Sequence, residues 1–285
     1  MAVPPVVLTI AGFDPSSGAG VTADIKTIAA HQCFGVSCIT ALTVQSTQGV
    51  RRVQPVDSKI VAATLEELVS DLQVASVHIG MLATADVVSA VADFLEKSKP
   101  PHVVLDPILK SSSGAELLDP PAIRVFIERM IPLAEVITPN LAEAAAFCQF
   151  PVTNLQEMGL AARQLHSMGT PNVVVTGGDM EKATDFLSFR TARGSEVEVF
   201  KSERLRSRST HGTGCAFSTS IACHLALGRS MPEATLLSKA YVTAAIANAH
   251  PLGLGIGPVN HLYRMNRQPR TSGAVAESET AQSRN

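Results

Sequence analysis

The 285-residue sequence predicts an α/β fold with a mainly parallel central sheet, helices on both faces and a late antiparallel hairpin. Three observations carry that prediction. Short β-branched and apolar runs alternate with more polar stretches of helical spacing, the pattern of parallel strands joined by crossover helices. Hydrophobic residues make up 46% of the chain and charged residues 17%, with no Trp, which suits a sheet covered by Ala-rich and Leu-rich helices rather than a disordered chain. Late in the chain, residues 186–191 and 196–201 alternate in polarity on either side of an Arg-Gly-Ser turn at 193–195, which predicts two antiparallel strands.

The first unit is a strand at 6–11, a glycine-rich loop, and a helix at 21–31 in which Ala23, Ile25, Ile28 and Ala29 keep helical spacing. Further buried strands are expected at 35–43, 75–79, 102–105, 135–138 and 172–176, each short and apolar. Helices are expected at 58–73, 85–97, 121–131, 141–148, 155–168, 213–227 and 232–249. Residues 1–265 form one expected domain, long enough to bury a substantial core. From Asn266 the chain turns polar and rich in Pro, Gly, Ser and Thr, so 266–285 is expected to be a disordered tail.

A formal net charge of −2 argues against nucleic acid as a partner, which would need a basic stripe, and small molecules are the expected ligands. Local basic clusters such as 204–208 remain candidates for substrate contacts. Five cysteines (Cys33, Cys38, Cys148, Cys215 and Cys223) are scattered without a C-x-x-C pair. Neither a disulfide framework nor a zinc site is indicated, and a reducing cytoplasm is the expected location. The N-terminus lacks a signal-peptide pattern and no run approaches the length of a transmembrane helix, so no membrane partner is expected.

The most informative segment is 210–215, Thr-His-Gly-Thr-Gly-Cys, running straight into an apolar helix. Two glycines and the unpaired amides of a helix N-terminus make an anion hole, and the helix field would pull the Cys215 thiol below its free value of about 8.5. The alternative is a buried cysteine behind an ordinary Gly turn. Ligands of open parallel sheets bind beyond the carboxyl ends of the strands, and several motifs fall there. The loop 12–20 has neither the P-loop lysine nor dinucleotide glycine spacing, and is either a close approach to a ligand or a simple turn. Asp24, early in the following helix, either complements the helix dipole or accepts from a substrate donor.

Asp106 ends a buried strand, where a carboxylate is costly without a cation nearby. Thr138-Pro-Asn140-Leu followed by Glu143 reads as a helix cap with a first-turn acid. In a phosphate site, the same Asn140 and Glu143 are oxygen ligands of the kind a hydrated magnesium ion uses. Gly177-Gly178 is a turn or the floor of a nucleotide site. The histidines His31, His78, His166, His224, His250 and His261 show no ligand spacing and read as caps, packed rings or surface. His211 differs by sitting within the anion-hole hexapeptide. Met81, after a strand and Gly80, is a pocket wall or plain core.

In this order, the segments 9–15 with 18–20, 23–27, 40–42 with Gln45, 79–82, 104–107, 137–141 with 143–144, Gly177-Gly178, 210–215 and 255–259 closely resemble the hydroxymethylpyrimidine and phosphomethylpyrimidine kinases of thiamine biosynthesis. These are members of the ribokinase-like superfamily, and the resemblance runs from about Val6 to His261. It implies a pyrimidine site of Gly12, Asp24, Gln45, Met81 and Ile108, with Asp24 and Gln45 reading the amino group and ring nitrogens. It further implies phosphate and magnesium at Asp106, Asn140 and Glu143, and ATP against Thr176, Gly177 and Thr210. Gly212, Thr213 and Gly214 would frame the transferring phosphoryl group, with Cys215 as base. In two places the chain departs from the family pattern. Ser112 stands where a lysine is usual, the nearest being Lys110, and the double glycine is flanked by Thr176 and Asp179 instead of Lys and His.

The activity so implied is ATP- and Mg2+-dependent phosphorylation of 4-amino-5-hydroxymethyl-2-methylpyrimidine to its monophosphate and then its diphosphate, by a cytoplasmic homodimer. A pyridoxal-type vitamin kinase is the alternative within the class. A pyrimidine-binding protein without turnover is the alternative outside it.

Overall fold

A computed structural model describes residues 3–111 and 113–265. Ser112 and the tail expected over 266–285 lie outside the described residues. The strands are β1 (Val6–Phe13), β2 (Phe34–Ser46), β3 (Gly49–Pro55), β4 (Val74–Ile79), β5 (Val103–Leu105), β6 (Val136–Ile137), β7 (Asn172–Gly177), β8 (Lys182–Thr191) and β9 (Gly194–Glu203). The described residues join them in one sheet of order β3-β2-β1-β4-β5-β6-β7-β8-β9. Strands β2 to β7 of that order pair in parallel, and β3, β8 and β9 are antiparallel additions at the two edges.

The helices are α1 (Gly20–Ala30), α2 (Ser58–Asp71), α3 (Ala85–Ser98), α4 (Pro120–Val125), α5 (Leu141–Cys148), α6 (Leu155–Ser167), α7 (Thr213–Ala226) and α8 (Met231–Ala247). Alternate strand residues divide the core between the two faces, as the two-residue period of a strand requires. Leu8, Ile10, Ile79, Leu105, Ile137, Val173 and Val175 pack with apolar residues of α2, α3, α5 and α6. Val7, Val104, Val136, Val174 and Leu187 pack on the other face with Ile28 of α1, Phe217 and Ile221 of α7, and Ala234 of α8. Helix α7 is buried along almost its whole length, and its buried polar residues Ser218, Thr219 and Ser220 are hydrogen-bonded to neighbouring elements.

Two local departures from the expected elements matter. The helix expected over 121–131 runs as α4, then a π-helical turn Phe126–Met130 and a 3-10 turn Ile131–Leu133, since Pro132 has no N–H to continue the ladder. Strand β3 was absent from the sequence expectation, because adjacent Arg51 and Arg52 break the alternation. Both arginines are exposed, as charges on an edge strand should be. Its pairing carries β2 on to Ser46, with a register shift between Val44 and Gln45. The shift falls beside Gln45, one residue before β2 ends at Ser46.

Candidate active site

The carboxyl ends of β1, β4, β5, β6 and β7 open on a cavity of about 190 Å³. It is lined by Gly12, Gln45, Met81 and Ile108 on one side and by Asp106, Asn140, Glu143 and Thr176 on another. Thr210, Gly212, Thr213, Gly214 and Cys215 close it at the start of α7. Thirteen sequence-predicted residues therefore meet at one place, although they come from segments up to 203 residues apart. Lys110 lines the cavity as well, which brings the chain's nearest lysine to the site despite Ser112.

The anion hole is built by backbone geometry. Gly212 caps α7 with φ +81°, a conformation that favours glycine, and a Cβ there would overlap the Gly18 carbonyl oxygen. Ala216 N–H is bonded to Gly212 O at 2.9 Å, and Thr213 N–H leans on Thr210 O at 3.4 Å. The amides of Gly214 and Cys215 fall between, ahead of the helical ladder, where positive field and N–H groups are both available to an anion. The loop 12–20 props this turn from below through Asp14. Its carboxylate accepts from Ser16 N–H (2.8 Å), Ser16 Oγ (2.7 Å), Gly18 N–H (3.2 Å), Ala19 N–H (2.9 Å) and His211 Nε2 (2.8 Å). Burial opposes the charge, but the His211, Ser16 and Ala19 donors hold the Asp14 carboxyl down at about 2.

Cys215 faces the cavity, yet its thiol differs from the expected low-pKa thiolate. Burial pushes it well above the ordinary thiol value, and the Asp106 and Asp24 carboxylates add to this, against one hydrogen bond from Gly20 N–H. Desolvation and negative neighbours outweigh the helix field here, so the thiol is neutral at pH 7.

Asp106 and Glu143 are the other two groups out of their ordinary range. Burial raises the Asp106 carboxyl to about 7, with His78 pulling it down and Asp24 pushing it up. Burial and Asp106 raise Glu143 to about 8, against hydrogen bonds from Asn140 and Leu109. Asn140 and Glu143 form a reciprocal capping box, each side chain accepting from the other's backbone N–H at 2.9 Å. The cap and the cavity wall are thus the same residues.

Asp106 Oδ2 is buried with no hydrogen-bond partner, an orphaned acceptor of the kind a cation satisfies. Among the described residues, no three His, Cys, Asp or Glu side chains are grouped to hold a metal. Two carboxylates and an amide suit magnesium, which keeps several waters and substrate phosphates in its shell.

The raised carboxyls give a pH prediction. In the folded, ligand-free protein they bind protons between about pH 4 and pH 8 that the unfolded chain has released, so stability falls as pH rises through that window. Denaturant melts at pH 5 and pH 8 should show the loss, and Asp106→Asn should flatten it. A protein equally stable at both values, with no change in the variant, would contradict the assignment.

Asp24 is corrected. It is fully buried and is not part of the cavity wall, because its oxygens are taken by Thr9 Oγ1 (2.6 Å), Thr219 Oγ1 (2.9 Å) and His78 Nδ1 (3.3 Å). The aspartate makes an internal hydrogen-bond hub with Thr9, Thr219 and His78. Gly177 is likewise outside the cavity wall: its N–H points at Asp185 Oδ1 (3.3 Å), and the wall stops at Thr176.

From the sequence His78 reads as a cap, packed ring or surface residue, whereas in the fold it lines the cavity with Nε2 buried and unpartnered. Burial would lower its pKa, and Asp24 and then Asp106 hold it above the ordinary value. The available sign was Ser76 and His78, two polar residues on the same face of a buried strand. Asp14 was also missed as a site residue, although an aspartate opening a Ser-Ser-Gly loop is a strong backbone acceptor.

A sequence model described as phosphomethylpyrimidine kinase matches residues 14–260. The chain is 42% identical over 259 residues to the hydroxymethylpyrimidine/phosphomethylpyrimidine kinase of Salmonella typhimurium, covering 90% of this chain and 97% of that protein. It is 41% identical over 258 residues to the thiamine biosynthesis bifunctional protein ThiED of Geobacter sulfurreducens, covering 90% of this chain but only 52% of that longer protein. Among solved structures, the ADP complex of Bacillus subtilis pyridoxal kinase superposes with a TM-score of 0.83 at 33% identity, covering 92% of this chain and all of the other. With the family model matching residues 14–260 and the Salmonella relative matching 90% of this chain and 97% of its own length, the chain belongs to the phosphomethylpyrimidine kinase family.

Proposed function

We propose that this protein phosphorylates 4-amino-5-hydroxymethyl-2-methylpyrimidine with ATP, and then phosphorylates the monophosphate to the diphosphate. The observation that carries this is the meeting of the α7 amides, Cys215 and the Asp106–Glu143 pair in one cavity beside Gly12, Gln45, Met81 and Ile108. Phosphoryl transfer needs positioning and charge stabilisation more than covalent chemistry, and the cavity supplies both. The amides of Gly214 and Cys215 receive the transferring group, while the alcohol oxygen attacks phosphorus in line from beside Cys215 Sγ. Cys215, when ionised, takes the alcohol proton, and the raised pKa makes that thiolate a scarce but strong base. The monophosphate is already anionic and needs no such base. Asp106, Asn140 and Glu143 would hold a magnesium ion, which supplies charge neutralisation at the nucleotide phosphates.

The likeness to a pyridoxal kinase keeps a second alcohol in view, since pyridoxal also carries a hydroxymethyl on a nitrogen heterocycle. Comparing kcat/KM for the two alcohols separates the readings, with the pyrimidine expected to lead. A larger value for pyridoxal, or ligand-induced stabilisation with no ADP formed from either, would overturn the proposal. The proposal includes one catalytic domain over 1–265 and a cytoplasmic homodimer. All five cysteines are free, in keeping with a reducing compartment, and no helix among the described residues is long and apolar enough to cross a membrane. The β2 overhang leaves Leu42 and Val44 about half exposed, apolar area that a second copy would cover.

A further inference from the structure

Lys239 is the one charged residue among the buried residues of α8. Its Nζ donates to Asp185 Oδ2 (2.8 Å) and to Ala183 O (3.1 Å) of β8, and the two side chains of this ion pair are only 10% and 8% exposed. Leu187 and Phe189, on the same face of β8 as Asp185, pack into the apolar cluster that Ala234 of α8 also joins. A buried ion pair contributes little to stability, because desolvating both charges offsets their attraction, and an apolar pair of similar volume packs as well or better. What this pair holds is found at the other carboxylate oxygen.

Asp185 Oδ1 accepts from Gly177 N–H at 3.3 Å, while Lys239 holds the same carboxylate through Oδ2. The end of β7 has no slack there: a Cβ on Gly177 would stand 2.6 Å from Thr184 O and 2.7 Å from Met180 Sδ. On the other side, Thr176 N–H donates to Pro139 O at 2.8 Å, next to Asn140, and Thr176 lines the cavity. Gly178 is exposed, with nothing within 4 Å of where its Cβ would be. The strand end is thus clamped from both sides and presents open backbone beyond. We propose that Lys239, acting through Asp185, is a positioning residue for the nucleotide: it fixes the turn from Thr176 to Gly178 that borders the proposed ATP site. The nucleotide half rests on the proposed function; the clamp on Gly177 does not.

Two double variants separate the clamp from the charges. Lys239→Met with Asp185→Leu fills the space without charge and removes the acceptor for Gly177, and its melting temperature should be at or above that of the wild type. Lys239→Met with Asp185→Asn also removes the charges but keeps an oxygen acceptor. Calorimetry with a non-hydrolysable ATP analogue and Mg2+ should give a Kd raised roughly tenfold or more in the leucine variant and within about threefold of wild type in the asparagine variant, with Kd for the pyrimidine alcohol moving less than about twofold in both. Equal nucleotide affinity in the two variants, or both ligands weakening together, would overturn the proposal. So would a leucine variant that does not fold, since the pair would then be holding the fold. In the wild type the Gly177 amide should exchange slowly with deuterium by NMR, and exchange as fast as that of exposed Gly178 would overturn the clamp whatever the enzyme phosphorylates. A wild type that binds neither ligand would bring down the proposed function instead, with the Gly177 exchange still deciding the clamp.

Discussion

Gly212→Ala is expected to lower kcat for both phosphorylations by at least about 10²-fold, the loss that follows when an oxyanion-type donor is displaced. Gly212 sits at φ +81° with its α-carbon turned toward the Gly18 carbonyl, so a methyl group there must push two backbones apart. Neither can yield cheaply. Gly18 is held through its own N–H by Asp14, which in turn holds His211, the residue just before Gly212. The left-handed backbone alone costs an alanine about 1–2 kcal/mol. Steady-state assays of the two steps, with a denaturant melt to confirm that the variant folds, check the result. Near wild-type kcat in a folded variant would mean that these amides do not hold the transferring group.

Cys215→Ala should divide the two steps. Removing the base is expected to slow phosphorylation of the alcohol by about 10²- to 10⁴-fold, and that of the monophosphate by less than about tenfold. A pH profile makes the case sharper, because the raised thiol pKa leaves little thiolate near neutrality. Below that pKa the thiolate fraction grows about tenfold per pH unit, so the alcohol step of the wild type should accelerate as pH rises. The variant should lose that slope. Equal losses in both steps, or an alkaline rise that survives the substitution, would remove Cys215 from the proton transfer.

Much of the architecture was legible because each buried strand is a short apolar run and each helix carries its own period or cap. The run 172–176 and the capping box at Asn140 and Glu143 are local in sequence and appear in the structure where expected. Strand β3 was not legible, since an edge strand with one exposed face and a bulge has no clean alternation. Among site residues, glycines and caps could be placed from motifs, because backbone chemistry is local. Asp24 and His78 could not, because the outcome depends on which way a side chain turns off a helix or strand and what it meets there. Asp24 turned inward to Thr9 and Thr219, and His78 turned toward the cavity. The Cys215 thiol misled for a related reason. A helix N-terminus is visible in sequence, whereas burial beside Asp106 is a property of the folded site.

The most direct test is a crystal structure with ADP, magnesium, a planar metal fluoride standing in for the migrating phosphoryl group, and the pyrimidine alcohol. The fluorides are expected within about 3 Å of the Gly214 and Cys215 amide nitrogens, with the alcohol oxygen in line beside Cys215 Sγ. A fluoride group seated away from the start of α7, with those amides turned to water or to protein, would contradict the assignment of this cavity as the transfer site.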